Sequence, residues 1–301
     1  MLKAGIDLGG TKIELRVFDA DWSEIARHRV PTPKDYAQLV DAVVGQIAWA
    51  EQETGPVAVV GIGAAGLVNP KTGITLTNNL PASGRPFQAD IEHHAGRKIT
   101  FINDCRALAV SEAVFGAGQG KPVMMALILG TGVSGGLTVN QIPRQGPTAT
   151  GGEIGHIAAP AHILAAHGLP VQECGCGRTG CIEAYISGPG LQRLAAFLTG
   201  QALTTREIAA RRTADMAEVW SIWCALVAEL IHIVTLTVDP DVIVLGGGLS
   251  AIPDLIPDVK AAVGQAQITG FDAAPLVLAQ GGDASGARGA AYAAWMERQD
   301  A

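Results

Sequence analysis

Charge is scarce in this chain, and positive charge is scarcer still. Only 16% of its 301 residues are charged, and 21 Lys and Arg stand against 28 Asp and Glu, a formal net charge of −7. That balance argues against a nucleic-acid-binding surface. The opening MLKAGIDLGG has no basic region followed by a long apolar stretch and a cleavage site. The expectation is therefore a chain that is not exported and works in the cytoplasm. A P-loop is also missing, because nowhere do four residues separate a glycine from Gly-Lys-Ser/Thr. Cysteines number five. In a reducing compartment they stay thiols, and where they cluster they usually bind metal.

What is present is apolar mass and glycine. Hydrophobic residues make up 48% of the chain and there are 38 glycines. A chain of this length can bury a large core and is expected to form two domains. The segment VWSIWCALVAELIHIVTLTV, Val219 to Val238, has the length of a transmembrane helix. Glu229 and His232 lie in its inner half and Asp239-Pro240 leads straight into another apolar run, so a buried core helix is expected and no membrane partner.

Two glycine turns share one grammar. Leu2 to Leu8 reads as a strand, Gly9-Gly10-Thr11 turns, and Ile13 to Phe18 resumes strand alternation. About 120 residues later Val123 to Leu129 is an apolar strand, Gly130 to Gly136 turns, and Leu137-Thr138-Val139 continues extended. The repetition predicts a duplicated architecture. Gly61-x-Gly63-x-x-Gly66 and Gly130-x-Gly132-x-x-Gly135 both match the dinucleotide fingerprint, yet neither is followed by the helix that fingerprint requires. What remains is a β-hairpin cradle whose backbone N–H groups meet phosphate oxygens. Elsewhere strands alternate with helices: a strand from Val57 to Ile62, another from Ile99 to Ile102 before Asn103-Asp104, and a helix from Cys105 to Phe115. A strand from Val242 to Leu245 runs into Gly246-Gly247-Gly248, and a last strand from Leu276 to Ala279 precedes the terminal helix.

Cys174, Cys176 and Cys181 fall within eight residues in CGCGRTGCIE, and Glu183 follows. Interleaved glycines let the backbone fold tightly enough for several thiolates to converge, and four-coordinate zinc accepts three sulfurs and one imidazole. His156, His162 and His167 are available upstream. His156 is the candidate because it ends the glycine-rich run Gly151-Gly152-Glu153-Ile154-Gly155, whereas the other two belong to a short surface helix. With four protein ligands and no open position, such zinc is structural. Cys224 reads as a small core residue of the long apolar helix.

The strings DLGGTK at Asp7 to Lys12, GTGVSGG at Gly130 to Gly136, EIGH at Glu153 to His156 and CGCGRTGCIE at Cys174 to Glu183 resemble the ROK family of sugar kinases and sugar-responsive repressors. Family repressors carry an added N-terminal helix-turn-helix module, and here only Met1 precedes the first strand, so the kinase branch is expected. RVPTPKD, NNLPASGRPFQAD, GCIEAYISG and VDPDVIVLGGGLS resemble the members that act on N-acetyl-D-glucosamine. The resemblance implies an α/β protein with an actin-like ATPase (ribonuclease H-like) fold: two α/β domains around a cleft, with a small structural zinc motif. The smaller domain would span residues 1–118 plus 287–301 and the larger, with the zinc motif, residues 119–286. It also implies phosphoryl transfer from ATP, with Mg²⁺, to the 6-hydroxyl of N-acetyl-D-glucosamine. Glucose, fructose and N-acetylmannosamine are alternative acceptors, a non-catalytic sugar sensor is the contrasting reading, and a homodimer is suggested.

Carried onto this chain, the family motifs imply Asp104 as the catalytic base. Asn78, Asn79, Asn103, Asp104, Glu153, His156 and Glu183 are the candidates for gripping the sugar. Gly9, Gly10, Thr11 and Lys12 would cradle the terminal phosphate, Gly130, Thr131 and Gly132 would face the phosphates, and Asp7 would hold magnesium through water. Gly246, Gly247 and Gly248 would let backbone approach the adenosine. His156, Cys174, Cys176 and Cys181 would ligate zinc, and Glu153 and Glu183, each close in sequence to a ligand, would be held at the sugar by that knot. Asn103 or Asp104 would also cap the helix that begins there.

Overall fold

The structure, a computed structural model, describes residues 1–299; residues 300 and 301, the end of the expected smaller domain, lie outside the described residues. In chain order the first half contains strands β1 (Leu2–Leu8), β2 (Lys12–Phe18) and β3 (Glu24–Pro31), helix α1 (Tyr36–Thr54), and strands β4 (Val57–Ala64), β5 (Leu67–Val68) and β6 (Thr75–Leu76). Helix α2 (Phe87–Ala95), strand β7 (Thr100–Asn103) and helix α3 (Asp104–Phe115) complete it. Then come β8 (Val123–Leu129), β9 (Val133–Val139) and β10 (Ile142–Pro143), followed by α4 (Ala161–Ala166), α5 (Glu183–Ile186), α6 (Gly188–Thr199), α7 (Thr205–Ala210) and α8 (Ala217–Thr237). The chain ends with β11 (Val242–Gly246), α9 (Leu255–Ala266), β12 (Leu276–Leu278) and α10 (Ser285–Gln299).

The predicted duplication is visible in the sheets. One runs β3-β2-β1-β4-β7 and the other β10-β9-β8-β11-β12, so corresponding strands take corresponding places. In each, the strand before the glycine turn lies at the centre, with a parallel neighbour entered later in the chain: β4 beside β1, β11 beside β8. By compactness the chain divides into one unit of Met1–Pro122, Gly136–Gly151 and the chain from Gln280, and a second of Val123–Gly135 and Gly152–Ala279.

In the first unit the alternation of β1 and β2 sends Ala4, Ile6, Leu8, Ile13, Leu15 and Val17 to one face, where Leu39, Val43 and Ile47 of α1 join them in one apolar cluster. Asp35 caps α1 by accepting from the Gln38 N–H at 3.0 Å. The opposite face carries Gly5 and Asp7 on β1 and Glu14 and Arg16 on β2, paired in register. There α10 lies close. A Cβ at Gly5 would overlap the Ala287 carbonyl and one at Gly61 the Ala290 carbonyl, so only glycine admits this approach. Glu112 on α3, wholly buried, accepts from the N–H groups of Ala117 (2.9 Å), Gln280 (3.0 Å) and Gly281 (2.7 Å), which fixes the entry to α10.

In the second unit α8 is the long apolar helix. It alone among the described residues is long and apolar enough to cross a membrane, yet 61% of its most apolar window is buried within the protein. Trp220 and Trp223 stack at 4.8 Å, and Cys224 is buried beside them as expected.

The second glycine turn is shorter than its sequence suggests. β9 already begins at Val133, so Ser134, Gly135 and Gly136 are strand and not turn. Gly135 stands where Met125 and Ile154 side chains press in, and Gly136 where the Cys105 carbonyl and Ala109 do. Their glycines serve packing, which a sequence of turn-forming residues disguises.

Candidate active site

Parallel pairing aligns Leu8 with Ala64 and Ala64 with Asn103, so β1, β4 and β7 end at one edge. The carboxyl edge of such strands is where ligands bind in open α/β sheets. There the Gly9 N–H donates to the Lys12 carbonyl at 3.0 Å, closing the turn. Thr32 donates its hydroxyl to the Gly9 carbonyl at 2.7 Å, and Lys34 donates its ammonium to the Gly10 carbonyl at 2.9 Å. Thr32 and Lys34 were not among the predicted site residues. Their sequence, TPK, reads as a plain turn. Asn79 comes to the same turn, its carbonyl 3.1 Å from where a Gly10 Cβ would stand, and its amide oxygen accepts from Thr77 at 2.9 Å. Asn78 is exposed beside it.

At the end of β7 both Asn103 and Asp104 bond the start of α3, Asp104 by accepting from the Cys105 N–H at 2.8 Å. Asn103 is the cap of α3, accepting from the N–H groups of Cys105 (3.0 Å) and Arg106 (3.4 Å), and its amide donates to the Gly66 carbonyl at 3.4 Å. Asp104 is the first residue of the helix and is half-buried. Burial raises the Asp7 carboxyl to about 6, and Asp104 adds to that rise, so the two carboxylates share one field. Lys12 opposes the rise from the other side. Beneath them Glu14 and Arg16, 1% and 5% exposed, form an ion pair, with Arg29 also on Glu14 and Glu24 on Arg16 at 2.5 Å. Sequence alternation puts Glu14 and Arg16 on the polar side of β2. It cannot reveal that Arg29 and Glu24 of β3 complete the pair and that both groups are buried. Arg106, 3% exposed, donates to the carbonyls of Ala149 and Gly151, both at 2.7 Å, and was likewise not anticipated.

The second unit assembles its own group. Gly130 N–H donates to the Gly132 carbonyl at 3.0 Å, closing a turn one residue tighter than the first. Glu183 opens α5 and accepts from the Val133 N–H at 2.7 Å through Oε2. Its Oε1 lies 3.8 Å from Cys174 Sγ. Cys174 Sγ is 3.6 Å from His156 Nδ1, and Cys176 Sγ is 3.7 Å from Cys181 Sγ. One ligand atom from each of His156, Cys174, Cys176 and Cys181 lies within 4.8 Å of all the others. A tetrahedral ion with sulfur at about 2.3 Å and nitrogen at about 2.0 Å needs ligand separations of about 3.5–3.8 Å, so the set fits a four-coordinate metal once its widest separations contract by about 1 Å. The opposite ring nitrogen, Nε2, is 4.0 Å from Glu153, which stands where a carboxylate would orient the ring if His156 held a metal. All five cysteines are free thiols, and burial pushes Cys181 up to about 12. His162 and His167 are exposed and stay apart from this group, at and just beyond α4.

Gly246 ends β11. Gly247 takes a left-handed φ of 87°, and a Cβ there would press on the Leu129 carbonyl at 2.5 Å. Gly248 faces open space. Both are compatible with close backbone approach of a ligand, though only Gly247 is demanded by the turn itself.

The ROK family pattern matches residues 3–297. The chain belongs to the ROK family. A ROK relative from Shewanella sp. (strain ANA-3), named N-acetylgalactosamine kinase AgaK, is 36% identical over 292 residues, 95% of this chain and 94% of its own length. An N-acetyl-D-glucosamine kinase from Haemophilus influenzae (strain 86-028NP) is 35% identical over 295 residues, 95% of this chain and 97% of its own. Among solved ROK structures, a glucokinase from Streptomyces griseus in complex with glucose and AMPPNP superposes with a TM-score of 0.80 at 29% identity, over 98% of this chain and all of that one. The two-sheet α/β architecture described above is thus the actin-like ATPase fold of ROK sugar kinases.

Proposed function

We propose that this protein catalyses ATP-dependent phosphorylation of the 6-hydroxyl of N-acetyl-D-glucosamine, giving N-acetylglucosamine 6-phosphate and ADP. The observation that carries the chemistry is the pair of half-buried carboxylates, Asp104 at the start of α3 and Asp7 at the first glycine turn, held in one field at the carboxyl edge of β1 and β7. Phosphoryl transfer asks for positioning and charge stabilisation more than for covalent help. Asp104 accepts the hydrogen bond of the acceptor hydroxyl, orients it, and takes its proton as the new oxygen–phosphorus bond forms. The bond from the γ-phosphorus to the bridging oxygen breaks, and ADP leaves. Gly9, Gly10, Thr11 and Lys12 meet the terminal phosphate; Gly130, Thr131 and Gly132 offer backbone to the phosphates; Gly246 to Gly248 border the adenosine. Asn78, Asn79, Asn103, Glu153, His156 and Glu183 grip the sugar.

Asp7 would hold magnesium through water, and the ion would supply charge neutralisation on the phosphates. His156, Cys174, Cys176 and Cys181 would hold zinc, whose role with four protein ligands is structural. A thiol-rich knot of this kind suits the reducing cytoplasm.

The names of the relatives support an N-acetylated hexosamine as acceptor. Initial rates on N-acetylglucosamine, N-acetylgalactosamine, N-acetylmannosamine, glucose and fructose at equal concentration test it. N-acetylglucosamine is expected to be turned over fastest; equal or faster turnover of any other sugar overturns that part of the proposal. A protein that binds sugar but transfers no phosphate to any of them is a sensor instead.

A further inference from the structure

Glu183 is placed in the sugar-binding group by its motif, but its carboxylate is occupied with something else. Oε2 accepts from the Val133 N–H at 2.7 Å, the first amide beyond the Gly130 to Gly132 turn. Gly132 is packed against the same oxygen, which lies 3.0 Å from where a Cβ would stand, so the turn is shaped around this carboxylate. Oε1, on the other side, lies against Cys174. The backbone of α5 strengthens the arrangement: Ser187 N–H donates to the Glu183 carbonyl at 3.1 Å, and the next residue, Gly188, donates to the Gly130 carbonyl at 2.7 Å. Two consecutive amides thus tie α5 on one side to Glu183 and on the other to the turn.

We infer that Glu183 is a positioning residue for nucleotide as well as a contact for sugar: it sets the conformation of the Gly130 to Gly132 turn, and it couples that turn to the cysteine-histidine cluster. The reasoning is physical. A turn of Gly-Thr-Gly has wide conformational freedom, and backbone N–H groups bind phosphate well only when they are already aimed. Val123 to Val139 contains no ionisable residue, so a charged constraint must come from outside the hairpin, and the bond from the Val133 amide to the Glu183 carboxylate supplies it beside the turn's own Gly130 to Gly132 bond. A cluster collapsed around a metal fixes Cys174 and with it the flank of Glu183. Loosening the cluster therefore loosens a phosphate-facing turn, even though no cluster residue need touch nucleotide.

The inference rests on the kinase reading, and its test separates the two. ADP binding is measured by calorimetry without any sugar present, on wild type, Glu183→Ala and Glu183→Gln, with melting temperatures as the check on folding. Glu183→Ala is expected to bind ADP about tenfold more weakly or worse, the loss of one charged hydrogen bond. Glu183→Gln keeps an acceptor for the Val133 N–H and is expected to stay within about threefold of wild type for ADP, while its sugar affinity falls. Hydrogen exchange at the Val133 amide should be protected in wild type and Glu183→Gln and fast in Glu183→Ala. Chelation of the metal from wild type should weaken ADP in the same direction as Glu183→Ala. If Glu183→Ala does not fold, Gly132→Ala, which crowds the same oxygen, is expected to weaken sugar-free ADP binding instead. ADP affinity within twofold of wild type in a folded Glu183→Ala, or in Gly132→Ala, overturns the inference and leaves the kinase reading intact. Failure of wild type to bind ADP or to phosphorylate any sugar overturns both.

Discussion

The two glycine turns stand at matching places in sheets of matching order, and they are built from opposite materials. Around Gly9 to Thr11 the strands carry Asp7, Lys12, Glu14 and Arg16, Lys34 crosses from the next segment, and Asp104 acts on Asp7 from α3. Around Gly130 to Gly132 the hairpin itself carries no charge, and Glu183 is brought in from α5 to hold it. Duplication supplied a shape twice. On the proposed function, cations and carboxylates at one copy follow charge as it moves, while the other lends backbone donors from a neutral hairpin.

The sharpest way to break this comparison is Asp104→Asn. Transfer should fall by about 10³-fold or more in kcat, with sugar binding still measurable by calorimetry; an active variant would show that the charged turn is not where the chemistry happens. Next in size is the cost of keeping Asp7 charged. Its carboxyl is raised above its unfolded value, so the folded state holds the extra proton between about pH 4 and about pH 6. In metal-free protein the stability from this group is full below about pH 4 and is lost as pH rises to about 6. Asp7→Asn in EDTA at pH 8 should therefore raise stability by up to about 3 kcal/mol, since each pKa unit corresponds to about 1.4 kcal/mol, while lowering activity with magnesium and ATP. Denaturant melts at several pH values measure this, and an unchanged or lower midpoint at pH 8 would contradict it.

The third prediction sharpens the neutral side. Purified protein should contain about one zinc per chain by metal analysis, as a four-ligand site requires, and Cys176→Ser should raise the sugar KM by about tenfold, the scale seen when a metal's support is weakened. A metal-free preparation with full activity would remove the cluster from the argument. The smallest effect is expected at Gly248→Ala. Its Cβ would meet nothing within 4 Å, so stability should change by less than about 0.5 kcal/mol. A clear rise in the ATP KM would then place nucleotide beside it, and unchanged kinetics would move the adenosine elsewhere.

Much of this was readable before any coordinates. Leu2 to Leu8 and Val123 to Leu129 have the bounds that their alternation and apolar runs suggest, because sheet centres tolerate little else. The cysteine spacing announced a cluster, and the structure brings His156 to it while leaving His162 and His167 outside. Helix α3 begins one residue earlier than expected, since Asn103 takes the cap and Asp104 becomes the first helical residue. What was not readable depends on distant partners. Glu14, Arg16, Arg106 and Glu112 look like ordinary polar positions until Glu24 and Arg29 of β3, the Ala149 to Gly151 segment and the Gln280-Gly281 amides pair them. Gly135 and Gly136 look like turn residues, because composition does not distinguish a glycine that bends from one that makes room.

The stripe of small residues that seats α10 also fixes an order of events during synthesis. Gly5 and Gly61 emerge from the ribosome early, but the carbonyls they accommodate belong to Ala287 and Ala290, and Gly289 closes on the Ala107 carbonyl. Until the final segment is released, the strand face bearing Asp7, Glu14 and Arg16 has no cover from its own helix. The first unit to be translated is therefore the last to be finished, with contacts of high sequence separation that fold slowly. The edge that carries Asp7 and Asp104 is completed only in a chain that has been made to its last helix, so a truncated product should lack the shared field of these two carboxylates even when its second unit is intact.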